Sequence, residues 1–320
     1  PTLTRALSRM DWTDMHFRQL ARLLSRRTWL WTEMVVDKTI LHTQNLDKFL
    51  WFPPEQRPLV LQLGGSDPAT LAAAAARAVE YGYDEINLNC GCPSDRVASA
   101  GCFGAALMMR PHLVARCTAA MAEAMKGDLR LVMMTCYPGG RYLGAIFSVR
   151  CCTILTARSP PPLPPGVRPP WVVQGLSPHQ NRTVPPLRHQ WAWALARDFP
   201  HLQFSLNGGV LNCHEARFQG LSVGGNGGGI VGVMIGRGAY NDPWGCLADA
   251  DRAVYGEPYN PAPSRRWVIE RYREYAESMV GRYPDGHADP SIRTLMRPLL
   301  NLFHGEPGCK RWKNEVDELL

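Results

Sequence analysis

Apolar runs of strand length recur along the chain, and each closes on glycine or polar residues. Trp29-Leu30-Trp31 leads into Met34-Val35-Val36, Leu59 to Leu63 ends at Gly64-Gly65, and Glu85 to Asn89 ends at Gly91. A further run spans Leu129 to Thr135, while Phe204 to Leu206 and Val231 to Ile235 run into Asn207-Gly208-Gly209 and Gly236. Short, mostly apolar segments of this kind fit strands buried on both faces of a parallel sheet. Helical patterns fill the gaps. Asp67 is placed to cap a helix with Pro68 in its first turn, running through Ala72, Ala75 and Ala76 to Tyr81-Gly82, and Pro111 opens another that reaches about Lys126. Strand followed by helix, repeated, predicts a βα barrel or a doubly wound sheet. Polar residues gather where the strands end, which is where TIM barrels place their catalytic groups.

From Ser264 the pattern changes to helices without strands, over Trp267–Arg282, Pro290–Phe303 and Gly308–Leu320. The chain therefore divides into an expected barrel over residues 1–247 and a small helical domain over 248–320. The stretch from Cys136 to about Pro170 breaks the pattern. Its last part, Arg158 to Pro170, holds seven prolines, which forbid helix and central strand and favour extended coil. No first strand and no sixth strand are read from the pattern, which leaves closure of the barrel undecided; an open barrel would expose sheet edges.

Composition adds a partner class. A net charge of +7 and a pI near 9.0 point to an anionic partner, nucleic acid first. Arginine far outnumbers lysine, since Lys38, Lys48, Lys126, Lys310 and Lys313 are the only lysines; GC-rich coding produces the same bias, so the charge alone decides little. No apolar run approaches the ~20 residues that cross a bilayer, and a soluble protein is expected. The ten cysteines follow no disulfide framework, and neither Cys90-Gly91-Cys92 nor Cys151-Cys152 has the spacers of a zinc site. A reducing compartment and no metal are expected. The chain opens on Pro1, so an original start, and a targeting peptide with it, are expected to be missing.

The sharpest chemical signal is Asp84 to Val97, followed by Gly101-Cys102-Phe103-Gly104. A strand here ends on two asparagines and a cysteine beside proline, which puts Cys92 at the barrel mouth. A thiol of ordinary pKa ~8.5 is mostly protonated at neutral pH and can serve as a general acid. Cys90 and Cys102 are read as inert and buried.

These residues resemble the tRNA-dihydrouridine synthases, specifically the subfamily acting on D-loop uridines 20 and 20a, in a plant- or algal-like form. The resemblance is carried by Met10 to Asp14, Trp31-Thr32-Glu33-Met34, Leu61 to Asp67, Ile86 to Asn89 and Pro93 to Val97. It continues through Gly175 to Arg182, Val184 to Leu187, Leu206 to Gly209, Gly236-Arg237, and Leu302 to Gly308 with Arg311-Trp312. It implies a TIM-barrel FMN enzyme with a helical domain, reducing the C5–C6 bond of uridine in tRNA with NADPH as reductant. Cys92 would protonate C5, Gln62 would bond the flavin ring, and Asn207, Gly208, Gly209, Gly236 and Arg237 would hold the FMN phosphate after the last two strands. Asn89, His179 and Arg182 would contact the tRNA. Arg293 and Arg297, four apart on one helix face, would bind its backbone, as would Lys310, Arg311 and Lys313. Gly224 to Gly229 reads as a flexible insert rather than a phosphate loop. The resemblance also implies a plastid or mitochondrion, with the cytoplasm as the other setting.

Three departures stand out. The family's Ala-Pro-Met turn after the first strand is Leu7-Ser8-Arg9 here. Its flavin-pairing Lys-Thr-Arg is Met134-Thr135-Cys136. Its next strand carries His-Ala-Arg, for which no counterpart is found between Cys136 and Val172. The expectation is a break in the coding sequence, such as retained intron or a misplaced start. Two other readings compete with the reductase: a tRNA-binding barrel that no longer reduces, and a flavin barrel acting on a small molecule.

Overall fold

The computed structural model describes residues 3–6, 13–91, 104, 107, 110–126, 130–136, 152–156, 189–200, 202–216, 230–282 and 289–318. Eight parallel strands form one sheet: β1 (Leu3–Ala6), β2 (Leu30–Val36), β3 (Leu59–Gly64), β4 (Glu85–Cys90), β5 (Arg130–Cys136), β6 (Cys152–Thr156), β7 (Gln203–Asn207) and β8 (Ile230–Ile235). Their order is β1-β8-β7-β6-β5-β4-β3-β2. The two end strands, β1 and β2, lie beside one another, with no hydrogen-bonded ladder between them among the described residues.

Two of these strands overturn expectations. β1 occupies the first position and pairs with β8, Leu3 opposite Gly232 and Ala6 opposite Ile235. β6 lies in the stretch set aside as foreign, yet pairs on both sides, Ile154 with Met134 of β5 and with Ser205 of β7. The physical reason is local: Cys152-Thr153-Ile154-Leu155-Thr156 is short, apolar and β-branched, and the prolines begin only at Pro160, after the last paired residue.

Helices follow most strands. α1 (Met15–Leu24) is capped by Asp14, whose carboxylate accepts from Phe17 N at 2.8 Å, and it buries Phe17, Leu20, Ala21 and Leu24 at helical spacing. α2 (Asp37–His42) and α3 (Asp47–Leu50) follow β2. α4 (Pro68–Val79) starts as expected, Asp67 accepting from Ala69 N and Thr70 N, and it packs against α5 (Pro111–Ala124). α6 (His189–Asp198) precedes β7. Alternation along the strands sorts the layers. Leu59, Leu61 and Leu63 of β3 and Ile86, Leu88 and Cys90 of β4 join one apolar core with the buried face of α4. Gln62, Asn87 and Asn89 take the opposite face. Cys90 is buried in the core, as read.

After β8 come α7 (Arg237–Asn241), α8 (Pro243–Leu247), α9 (Ala250–Tyr255), α10 (Arg265–Met279), α11 (Ile292–Met296) and α12 (Cys309–Glu318). The expected single helix from Pro290 to Phe303 is corrected. α11 passes into a 3-10 turn over Arg297–Asn301, where Pro298 has no N–H to continue the helix. α10 lays Val268, Tyr272, Tyr275 and Met279 inward and packs on α1. Asp251 of α9 reaches back to accept from Ser25 Oγ, Arg26 N (2.9 Å) and Arg27 N (3.2 Å) where α1 gives way to β2. Among the described residues no helix is long and apolar enough to cross a membrane.

Candidate active site

Because all strands run parallel, their C-terminal ends share one edge of the sheet. At the ends of β3 and β4 three carboxamides meet. Asn89 Nδ2 donates to Gln62 Oε1 at 3.0 Å, and Gln62 Nε2 donates to Asn87 Oδ1 at 3.0 Å. Gly91 N donates to Asn89 Oδ1 at 2.9 Å. Strand register explains the meeting, since Gln62 pairs with Asn87. β2 supplies a brace: its register shifts between Trp31 and Met34. There Thr32 Oγ1 accepts from Gln62 N at 2.9 Å and donates to Glu33 O at 2.8 Å. Thr32, Gln62, Asn87 and Asn89 are all buried, so these hydrogen bonds form away from bulk water, where leaving one unmade is costly.

A second group sits at the ends of β7 and β8, whose register sets Asn207 opposite Met234. Gly208 and Gly209 follow with φ of 115° and 82°, a left-handed turn that favours glycine. The Gly208 carbonyl bonds His189 Nε2 at 3.0 Å. From the neighbouring strand, Gly236 leads into Arg237 at the start of α7. The two segments touch at Gly238: a Cβ there would lie 1.8 Å from Leu211 O.

A cavity of about 510 Å³ extends from the end of β2 toward α10 and α11, with Asp14, His16, Glu33, Met34, Phe49 and Trp51 among its walls. His16 Nδ1 and the Tyr275 hydroxyl are hydrogen-bonded at 2.8 Å. Burial, set against the pull of Asp14, lowers the His16 pKa below 6.5. Among the described residues no group of three His, Cys, Asp or Glu side chains could hold a metal ion.

The structure thus brings Gln62 and Asn89 together, and sets Asn207, Gly208 and Gly209 beside Gly236 and Arg237. Cys92, Cys102, His179, Arg182, the Gly224–Gly229 insert and the Leu7–Arg9 turn lie outside the described residues. Arg293 is exposed, 3.6 Å from Asp317. Arg297 follows in the same helical turn, its N–H bonded to Arg293 O, and its half-buried guanidinium pairs with Asp14. Burial works against the charge on Arg297, but the carboxylate outweighs it and raises the pKa. Lys313 is likewise held, 2.9 Å from Asn301 Oδ1, whereas Arg311 is exposed beside Glu315. Sequence reasoning missed Thr32, Asn87 and the cavity. For Asn87 a signal existed, since it precedes Asn89 by two and so shares its strand face.

Comparison with known proteins follows from this geometry. The family model described as Dihydrouridine synthase (Dus) matches residues 7–135 and 169–320. The interval it skips coincides closely with the stretch that departs from the strand–helix pattern. The tRNA-dihydrouridine(20/20a) synthase of Synechocystis sp. is 39% identical, over 97% of this chain and 86% of its own length. Proteins of the same name from Xanthomonas axonopodis pv. citri and Vibrio vulnificus are 40% and 38% identical, each over 97% of this chain, and over 86% and 89% of their own lengths.

Proposed function

Since this chain belongs to the dihydrouridine synthase family, we propose that it reduces the C5–C6 double bond of D-loop uridine in tRNA, giving 5,6-dihydrouridine, with FMN bound and NADPH as reductant. The eight parallel strands close, in this reading, as a TIM barrel over residues 1–247, and residues 248–320 form the tRNA-binding part. The observation that carries the proposal is the buried carboxamide group of Gln62, Asn87 and Asn89 at the strand ends, with the motif cysteine Cys92 three positions after Asn89 in a chain matched by the family on both sides of it.

The donor set fits a flavin mononucleotide. Uncharged amides suit the carbonyl and imide edge of the ring, so Gln62 would bond it. Asn207, Gly208 and Gly209, with the backbone turned through a left-handed pair, and Gly236 with the cation of Arg237 would hold the phosphate. FMN, when bound, supplies the hydride for C6 of the uracil. Asn89 holds the uracil edge, and Cys92 keeps a proton for C5. The base must leave its stack to reach these groups. Arg293, Arg297, Lys310 and Arg311 meet phosphates of the tRNA, with His179 and Arg182 contributing from the segment before α6. The plant-like resemblance extends the proposal to a plastid or mitochondrion as the compartment.

A second reading, a tRNA-binding barrel that no longer reduces, is favoured by one observation. β5 register sets Met134 directly beside Asn89, where the family carries a lysine, and a thioether has no proton to donate. Visible absorbance of the purified protein separates the two. A yellow protein with one FMN per chain, forming dihydrouridine on unmodified tRNA and losing that activity in Cys92→Ala, supports the reductase. A colourless, soluble protein that still binds tRNA supports the second reading.

A further inference from the structure

Side-chain amide oxygen and nitrogen are told apart only by their partners. In the chain of carboxamides across β3 and β4, one partner has no choice. The Gly91 N–H can only donate, so Asn89 must present Oδ1 to it, at 2.9 Å. That turns Asn89 Nδ2 toward Gln62, which must then present Oε1, at 3.0 Å. Gln62 is left to offer Nε2 in the other direction, where Asn87 Oδ1 accepts at 3.0 Å. The Gly91 N–H therefore anchors one end of the relay, and a single sense of donation runs through all three side chains. Reversing any one amide would face oxygen to oxygen or N–H to N–H, in a group whose members are at most 3% exposed.

We infer that Asn87 is a positioning residue: as the acceptor at the far end of this relay, it holds Gln62 with Oε1 toward Asn89 and so fixes the edge that both amides turn to their ligands. The catalytic consequence rests on the proposed roles of Gln62 and Asn89; the relay itself rests only on the hydrogen bonds. Asn87 occupies the middle of β4, in register with Gln62 on one side and Val132 on the other. Its backbone is fixed by both neighbours, and it can anchor a side chain on β3 without moving.

The test uses the full chain, labelled with nitrogen-15, as wild type, Asn87→Leu and Asn87→Asp. Leucine has similar bulk and no acceptor, whereas aspartate keeps an acceptor whether ionised or protonated. The Gln62 side-chain protons are expected to exchange slowly with solvent in the wild type. They should exchange at least about tenfold faster in Asn87→Leu, with slow exchange recovered in Asn87→Asp. In flavin-loaded enzyme the leucine variant is expected to lose on the order of 10- to 100-fold in kcat, with KM for tRNA changed less than about twofold and activity returning with aspartate. Unchanged Gln62 exchange in Asn87→Leu, or equal losses in both variants, would overturn the inference. Should the leucine variant not fold, Asn87→Ser, whose hydroxyl is too short to reach Gln62, gives the same reading. A wild type without flavin or dihydrouridine formation would count against the proposed function, and the exchange pattern would still decide the relay.

Discussion

Replacing Gly238 by alanine sets two physical effects against each other. Gly238 lies inside α7, and in a helix interior alanine is favoured over glycine by roughly 1 kcal/mol, so propensity alone makes the substitution stabilising. Sterics oppose it. The new Cβ would sit 1.8 Å from Leu211 O and 2.7 Å from Leu211 C, both backbone atoms that no rotamer change can remove. Reaching even a tight 3.0 Å requires the two segments to part by about 1.2 Å. Inserting a methyl group into a packed site typically costs ~1–3 kcal/mol, and a rigid backbone neighbour puts this case at the upper end. The net expectation is a loss of about 1–2 kcal/mol, a fall in Tm of roughly 1.5–3 °C for a chain of this size. The displacement also has a direction. Leu211 follows Gly209 by two residues and Gly238 follows Arg237 by one, so parting them widens the gap between the two proposed phosphate-binding segments. FMN affinity is expected to drop about tenfold, roughly 1.4 kcal/mol. Scanning calorimetry and quenching of flavin fluorescence measure the two effects. A Tm that rises or holds, with FMN affinity unchanged, would show that the loop yields freely and refute the reasoning.

Other consequences are as direct. Arg297→Met removes the ion pair to Asp14 that ties the 3-10 turn to the cap of α1; a loss of about 1.5–3 kcal/mol and faster proteolysis between α10 and α12 are expected, and unaltered cleavage would count against a clamp. Asp251→Ala strips the acceptor from Ser25 Oγ, Arg26 N and Arg27 N, so denaturant unfolding should show about 2–4 kcal/mol less stability, more than one hydrogen bond. His16 has its pKa lowered by burial below 6.5, so the folded state disfavours the proton; this stabilisation is complete above about pH 6.5 and is lost as pH falls toward the folded value. His16→Gln should flatten the Tm profile between about pH 7 and pH 5, and a profile identical to the wild type would exclude His16 as its source.

Six strands were legible in the sequence because burial on both faces makes them continuous apolar runs. β1 and β6 were not. Leu3-Thr4-Arg5-Ala6 is only half apolar, and Cys152 to Thr156 stands between a cysteine pair and a proline run whose composition masks it. Pairing with neighbouring strands, with β8 for β1 and with β5 and β7 for β6, is a property of the sheet and not of the segment, and it decides such cases. The site divides in the same way. Gln62 and Asn89 could be placed from the motifs, and the two-residue period that makes Asn87 their companion was present but carried no chemistry of its own. The ion pair of Arg297 could not be read in the same way, since its partner Asp14 lies 283 positions away, beyond any local pattern.

The carboxylate of Asp251 also constrains the order of events during synthesis. The chain emerges from the ribosome N-terminus first, so α1 and β2 are exposed long before the acceptor for Ser25, Arg26 and Arg27 has been made. All eight strands are translated by Ile235, yet the turn that starts β2 stays incomplete until α9 follows. A nascent chain whose eight strands have emerged while α9 is still inside the ribosome would hold a sheet whose opening turn lacks its acceptor, a substrate for chaperones rather than a finished fold.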